Sequence, residues 1–127
     1  MDKCHSDLPT LVEHFESCSH PELSHEEHVQ LGYYYLKKQS LLQVLTELPN
    51  KLRRYAESKG APNLYHETIT WAFLTLINER LHTGPNASWE EFSKANPDLL
   101  ESKVLAKYYP KEVIDSEVAR SIFVLPV

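Results

Sequence analysis

Hydrophobic positions recur at helical spacing along this chain and are fenced by residues that start and stop helices. After Asp7, the residues Leu11, Val12 and Phe15 share one face of a short segment, Leu8 to Glu16. Ser24 with Glu27, Ser40 with Gln43 and Ser88 with Glu91 repeat the capping-box spacing just ahead of apolar-periodic stretches. In such a box the hydroxyl and the second side chain each take an amide that a helix start leaves without a partner. From Ser40 to Lys59, the residues Leu41, Leu45, Leu48, Leu52, Tyr55 and Ala56 form one stripe. Pro49 inside that stripe removes a hydrogen bond and predicts a kink or break near Leu48. Gly60 followed by Pro62 is the usual stop order. Asn63 to Leu81 is the most strongly periodic stretch, closed by Gly84-Pro85. Shorter helices are expected near Trp89 to Lys94, Leu99 to Tyr108 and Ser116 to Phe123. Residues 1–6 are expected to be flexible, and the apolar tail 123–127 to dock back along the bundle. Long alternating runs of β-branched residues are missing, so strands do not dominate. The pattern predicts an all-α fold, one compact bundle of five to seven helices over residues 1–127.

Composition narrows the partners. Thirteen Lys+Arg against eighteen Asp+Glu give a net charge of −5, which argues against binding the phosphates of nucleic acid. The longest apolar run, Trp71 to Ile77, is interrupted by Thr75 and is far short of the roughly 20 residues a membrane span needs. The start, Met1 to His5, lacks the basic-then-apolar order of a signal peptide. Two cysteines, Cys4 and Cys18, are too few for a disulfide framework or a cysteine-built zinc site. A soluble, cytoplasmic domain with neither nucleic acid nor membrane as partner is the expectation.

Seven histidines are many for 127 residues, and their placement is informative. Stepping about 100° per residue from Ser24 puts His25, His28, Val29, Gly32, Tyr35 and Leu36 on one face. Gly32 costs about 1 kcal/mol against alanine in a helix interior, and it admits a second helix closely beside His25 and His28. The same operation on Asn63 to Leu81 collects His66, Thr70, Phe73, Ile77 and Leu81, with Glu67 at the border. Both histidine groups lie near the N-terminal ends of their helices. If those helices run parallel, or cross near those ends, His25, His28 and His66 share one cavity. Tyr33, Tyr35, Tyr65, Thr70 and Glu67 are available to satisfy polar atoms there.

Such a pocket supports two chemistries. His25, His28, His66 and Glu67 are candidate ligands for a divalent metal such as zinc or iron. Alternatively His28, His66, Tyr35 and Thr70 contact a small molecule, with His66 as a candidate general base oriented by the Glu67 carboxylate. His25-Glu26-Glu27-His28 is not the His-Glu-x-x-His signature of zinc proteases. Glu22 with His25 matches one Glu-x-x-His unit of di-iron bundles, but Asn63 stands where a second glutamate would have to precede His66. The competing class is a protein-interaction or homodimerisation module with structural histidines, to which the apolar tail would contribute exposed surface.

His28-Val29 leading into a Tyr/Leu-rich helix, Tyr65-His66-Glu67-Thr68-Ile69-Thr70, Asn96-Pro97-Asp98-Leu99-Leu100 and Ala119-Arg120 before Phe123-Val124 together give a recognisable order. In that order the chain resembles a family of small, all-helical, uncharacterised bacterial proteins, from about His25 to Val124. The resemblance implies a bacterial, single-domain protein and carries no activity.

Overall fold

Both of the first two capping boxes are complete in the computed structural model, which describes residues 8–84 and 88–126. Ser24 takes the amide of Glu27 while Glu27 returns a bond to the Ser24 amide, and Ser40 and Gln43 do the same. These starts set α2 (His25–Lys38) and α3 (Leu41–Ser58), preceded by α1 (Leu8–Glu16). Next come α4 (Glu67–Thr83), α5 (Trp89–Ala95), α6 (Lys111–Ile114) and α7 (Glu117–Ser121). Three 3-10 segments, Pro62–Leu64, Pro97–Leu100 and Ser102–Lys107, join them, and the described residues contain no strand. The fold is all-α. Among the described residues no helix is long and apolar enough to cross a membrane. The expectations for residues 1–6, Pro85 and Val127 lie outside the described residues.

Several elements differ from the expectation. Of the kink or break expected at Pro49, the break does not occur: Pro49 is buried inside a continuous α3. Capping at Ser40 and burial of Val44, Leu48 and Tyr55 outweigh the roughly 3 kcal/mol a helix-interior proline costs. The strong helix begins at Glu67 rather than Asn63, because Tyr65 and His66 are extended and His66 serves as the N-cap. Leu99 to Tyr108 forms two 3-10 turns separated by an extended Glu101 instead of one helix. Arg80 holds the first of those turns through Asn96 Oδ1 at 2.8 Å and a two-pronged bond to the Asp98 carboxylate at 3.1 and 2.9 Å. The short α6 is an element the periodicity did not reveal.

α4 is the central element, with α2, α3 and α7 packed around it. Its contact with α2 is tight at Gly32: an added Cβ would lie 2.9 Å from Ile77 Cδ1 and 3.1 Å from Leu74 Cδ2. His25, at the start of α2, meets the Phe73 ring edge-on at 4.8 Å. Contacts therefore advance in the same sense along both helices, which brings their N-terminal halves to one side of the bundle. On the far side of α4 the chain end is strapped down. Thr68 Oγ1 donates to the Ile122 carbonyl at 2.7 Å and accepts from the Val124 amide at 3.0 Å. Tyr109 donates to the Val124 carbonyl at 2.6 Å, and Phe123 stacks on Trp71 with ring centres 5.3 Å apart.

Gly32 gives a direct test of the crossing. In Gly32→Ala, a helix-propensity gain of about 1 kcal/mol is offset by displacement of the two flexible side-chain tips, so chemical denaturation should show a change within about 1 kcal/mol. Gly32→Val adds bulk that the tips cannot clear and is expected to cost about 2–3 kcal/mol. A valine variant as stable as the parent would mean that α2 and α4 do not meet here.

Candidate functional site

The same-side placement of the two N-terminal helix halves opens a cavity of about 470 Å³ between α2, α3 and α4. Its walls are mainly apolar: Val29 from α2, Leu48, Leu52 and Ala56 from α3, and Phe73, Leu74 and Ile77 from α4. Pro21, Glu22 and Leu23, in the connection from α1 to α2, form part of the edge, with Leu64 and Ile69 exposed. Of the residues singled out in the sequence, His25, His28, His66 and Thr70 all line this space.

Each of those polar side chains is also tied into the scaffold. His25 donates through Nε2 to the Leu99 carbonyl at 3.0 Å, linking α2 to a distant turn. His28 donates through Nδ1 to the Ser24 carbonyl at 3.0 Å. Thr70 donates to the His66 carbonyl at 2.7 Å. Buried His66 uses both ring nitrogens: Nδ1 accepts from the Ile69 amide at 3.2 Å, and Nε2 donates to the Ile114 carbonyl at 2.7 Å. The imidazole is thus a helix cap and an inter-helix tie. With its acceptor nitrogen already occupied, it has no lone pair left for a substrate proton, which corrects the expectation of a general base.

Glu67 and Tyr35 do not line the cavity. One residue beyond His66, Glu67 is rotated about 100° away around the axis. It accepts from Tyr65 at 2.5 Å and from Arg53 Nη2 at 2.7 Å, with the guanidinium stacked over the Tyr65 ring at 4.6 Å. The pair of burial and carboxylate pushes the Tyr65 phenol above its usual range. Tyr35 lies seven residues beyond His28, about 10 Å along the helix axis. Its hydroxyl donates to the Glu16 carboxylate, which Lys51 also reaches at 2.9 Å. Burial and then that bond raise the Tyr35 phenol, while Tyr35 first and Lys51 second hold Glu16 below the ordinary carboxylate range.

The candidate metal ligands consequently do not converge. Glu67 is turned toward Arg53, both His66 nitrogens are engaged, and among the described residues no group of three or more His, Cys, Asp or Glu is placed to hold an ion. A ligating imidazole needs a free lone pair, which His66 does not present in this arrangement.

The α3 contribution was not anticipated as part of a site. Tyr55 donates to the His20 carbonyl at 2.6 Å, and Lys59 donates to the Cys18 carbonyl at 3.2 Å while lying over the Tyr55 ring at 5.3 Å. These bonds hold the connection after α1 against α3 and shape the edge at Pro21 and Glu22. Cys18 takes a left-handed φ of 60° there, a conformation few residues other than glycine adopt. Tyr55 on the α3 stripe was legible as a buried residue, but periodicity carries no sign that α3 closes a cavity.

His28 is exposed, and its ring borders the cavity, yet neighbouring protein crowds it. That desolvation, the largest cause, outweighs the Ser24 bond and lowers its pKa below the usual 6.5, so the ring is neutral at neutral pH.

Two measurements follow from these positions. Replacing His66 by alanine removes a cap, at about 1 kcal/mol, and strands a carbonyl, at about 1–3 kcal/mol more. The denaturation midpoint should drop accordingly, and His66→Asn, which keeps a capping oxygen, should recover part of the loss. Unaltered stability in His66→Ala would remove the capping role. For His28, the unfolded chain takes up its proton near 6.5, before the folded chain does. Stability should therefore fall as pH drops through that value towards the lower folded pKa, and His28→Gln should show a shallower fall over the same window. An identical pH profile for parent and variant would show that His28 is not desolvated.

A comparison of the chain with protein-family models, with curated proteins and with solved structures finds no match in any of the three.

Proposed function

We propose that this domain binds a small, largely apolar organic molecule between α2, α3 and α4, with His28 and Thr70 as polar contacts. The observation that carries the reading is the cavity itself: about 470 Å³, walled mostly by aliphatic and aromatic side chains with a few polar groups. Ligand sites run from roughly 300 to 1,000 Å³ and share that lining. The three histidines, Tyr55, Tyr65 and Thr70 of the wall are each braced by a backbone carbonyl or a carboxylate, which organises these walls before a ligand arrives. The absence of a free general base at His66 supports binding over catalysis. Two cysteines, an acidic balance and the bacterial resemblance favour a cytoplasmic bacterial setting without nucleic acid as partner.

A second reading rests on the opposite side of α4. Val118, Ile122 and Leu125 are 58%, 57% and 73% exposed on α7 and the strapped tail. This is the apolar surface that a homodimer or a partner protein would cover. A sizing column run over a range of concentrations distinguishes the two: a concentration-independent monomer counts against it.

The ligand reading is tested with N-phenylnaphthylamine, a neutral dye that brightens in apolar surroundings. Titration should give saturable enhancement at one site. Leu52→Trp, on α3 at the partly exposed side of the wall, fills the space; it should abolish the enhancement while shifting stability by less than about 3 kcal/mol. Equal enhancement in parent and filled variant would place the dye elsewhere and overturn the reading.

A further inference from the structure

The hydroxyls and imidazoles of the cavity wall have spent their hydrogens. Tyr55 gives its hydroxyl hydrogen to the His20 carbonyl, Tyr65 to Glu67, and Thr70 to the His66 carbonyl. The imidazoles behave alike: His66 donates to Ile114, His25 to Leu99 and His28 to Ser24, each to a backbone carbonyl that can only accept. A neutral imidazole whose one N–H is fixed in this way presents its other nitrogen as a lone pair. For His66 that lone pair is taken by the Ile69 amide. For His28 the remaining Nε2 has no hydrogen-bond partner among the described residues, the residue is exposed, and crowding keeps the ring neutral. At the edge, Glu22 is a further acceptor, and the Lys59 ammonium is already drawn to the Cys18 carbonyl and the face of Tyr55.

We propose that the cavity selects apolar molecules carrying a hydroxyl or amine hydrogen over molecules of the same body carrying a carboxylate, with Nε2 of His28 as the acceptor. This inference rests on the ligand-binding reading above and gives it a chemical class: neutral phenols, alcohols and amines. The physical reason is complementarity. A donor group entering the cavity exchanges water for the His28 lone pair, whereas a carboxylate would be desolvated against an apolar wall and the spent hydroxyls and imidazoles, with the Lys59 ammonium, already bonded to the Cys18 carbonyl, as the cation at the edge. A plain hydrocarbon would gain the apolar contact alone.

The experiment uses para-butylphenol, para-butylaniline, butylbenzene and para-butylbenzoate, which share one body, as competitors of bound N-phenylnaphthylamine at neutral pH. The phenol should bind about five- to tenfold tighter than butylbenzene, the yield of one good hydrogen bond. The benzoate should bind at least about tenfold more weakly than the phenol. In His28→Leu the phenol should fall to parity with butylbenzene while butylbenzene keeps its affinity; His28→Gln, which retains an acceptor, should restore part of the preference. A benzoate that binds as well as the phenol, or a phenol preference that survives His28→Leu, would overturn the proposed selectivity while leaving the cavity as a ligand site. If no member displaces the dye and none binds directly by calorimetry, both the selectivity and the ligand reading fall.

Discussion

The bundle depends on what His66 does with its two ring nitrogens. One receives the Ile69 amide and so decides where α4 begins; the other reaches the Ile114 carbonyl and so decides where the C-terminal helices sit against it. A single planar ring thereby fixes a helix start and an inter-helix distance together. Moving it would leave a helix amide and a carbonyl short of partners, a cost that low-dielectric surroundings magnify. The same ring then forms part of the cavity wall, so the space beside it inherits the rigidity of the cap. Arg120 reinforces the arrangement by donating to the carbonyls of Asn63 and Tyr65, just ahead of the cap.

Charged clusters around the edge serve placement more than stability. Glu16 with Tyr35 and Lys51 joins α1, α2 and α3, Glu67 with Tyr65 and Arg53 joins α3 to α4, and Asp98 with Arg80 joins α4 to the following turn. All are partly open to solvent, where such pairs contribute about 0–1 kcal/mol each. Their value lies in geometry, since each connects elements far apart in sequence and fixes how those elements turn relative to one another. The apolar core, from Phe15 on α1 through Leu31, Ile77 and Phe92, supplies the driving force.

An apolar cavity of this size is a cost to a domain of 127 residues, because its lining forfeits contacts that a filled core would make. The walls do not close over it for identifiable reasons. Gly32 allows α2 and α4 to touch on one side of the gap, while Tyr55 and Lys59 hold the connection after α1 against α3 on the other. A scaffold braced open in this way forgoes stability, which under the proposed ligand reading is the usual relation between a binding site and the fold that carries it.

Much of this was legible from residue order. The boxes at Ser24 and Ser40, the stop at Gly60 and the stripes on α2 and α4 follow from bonds between near neighbours, and those bonds obey the same rules in any context. The same rules placed His25, His28, His66 and Thr70 on faces that turn out to border one space. They failed at Leu99 to Tyr108, where Arg80 from another helix selects 3-10 turns, and at Asn63 to His66, where a 3-10 turn and the extended Tyr65 and His66 stand in place of the first turn of an α-helix. They also could not separate His28, with a nitrogen free, from His66, with none, nor turn Glu67 and Tyr35 out of the site. Local periodicity fixes the direction in which a side chain leaves its own helix; which partner waits there depends on how two helices cross, and that is decided by packing across the whole domain.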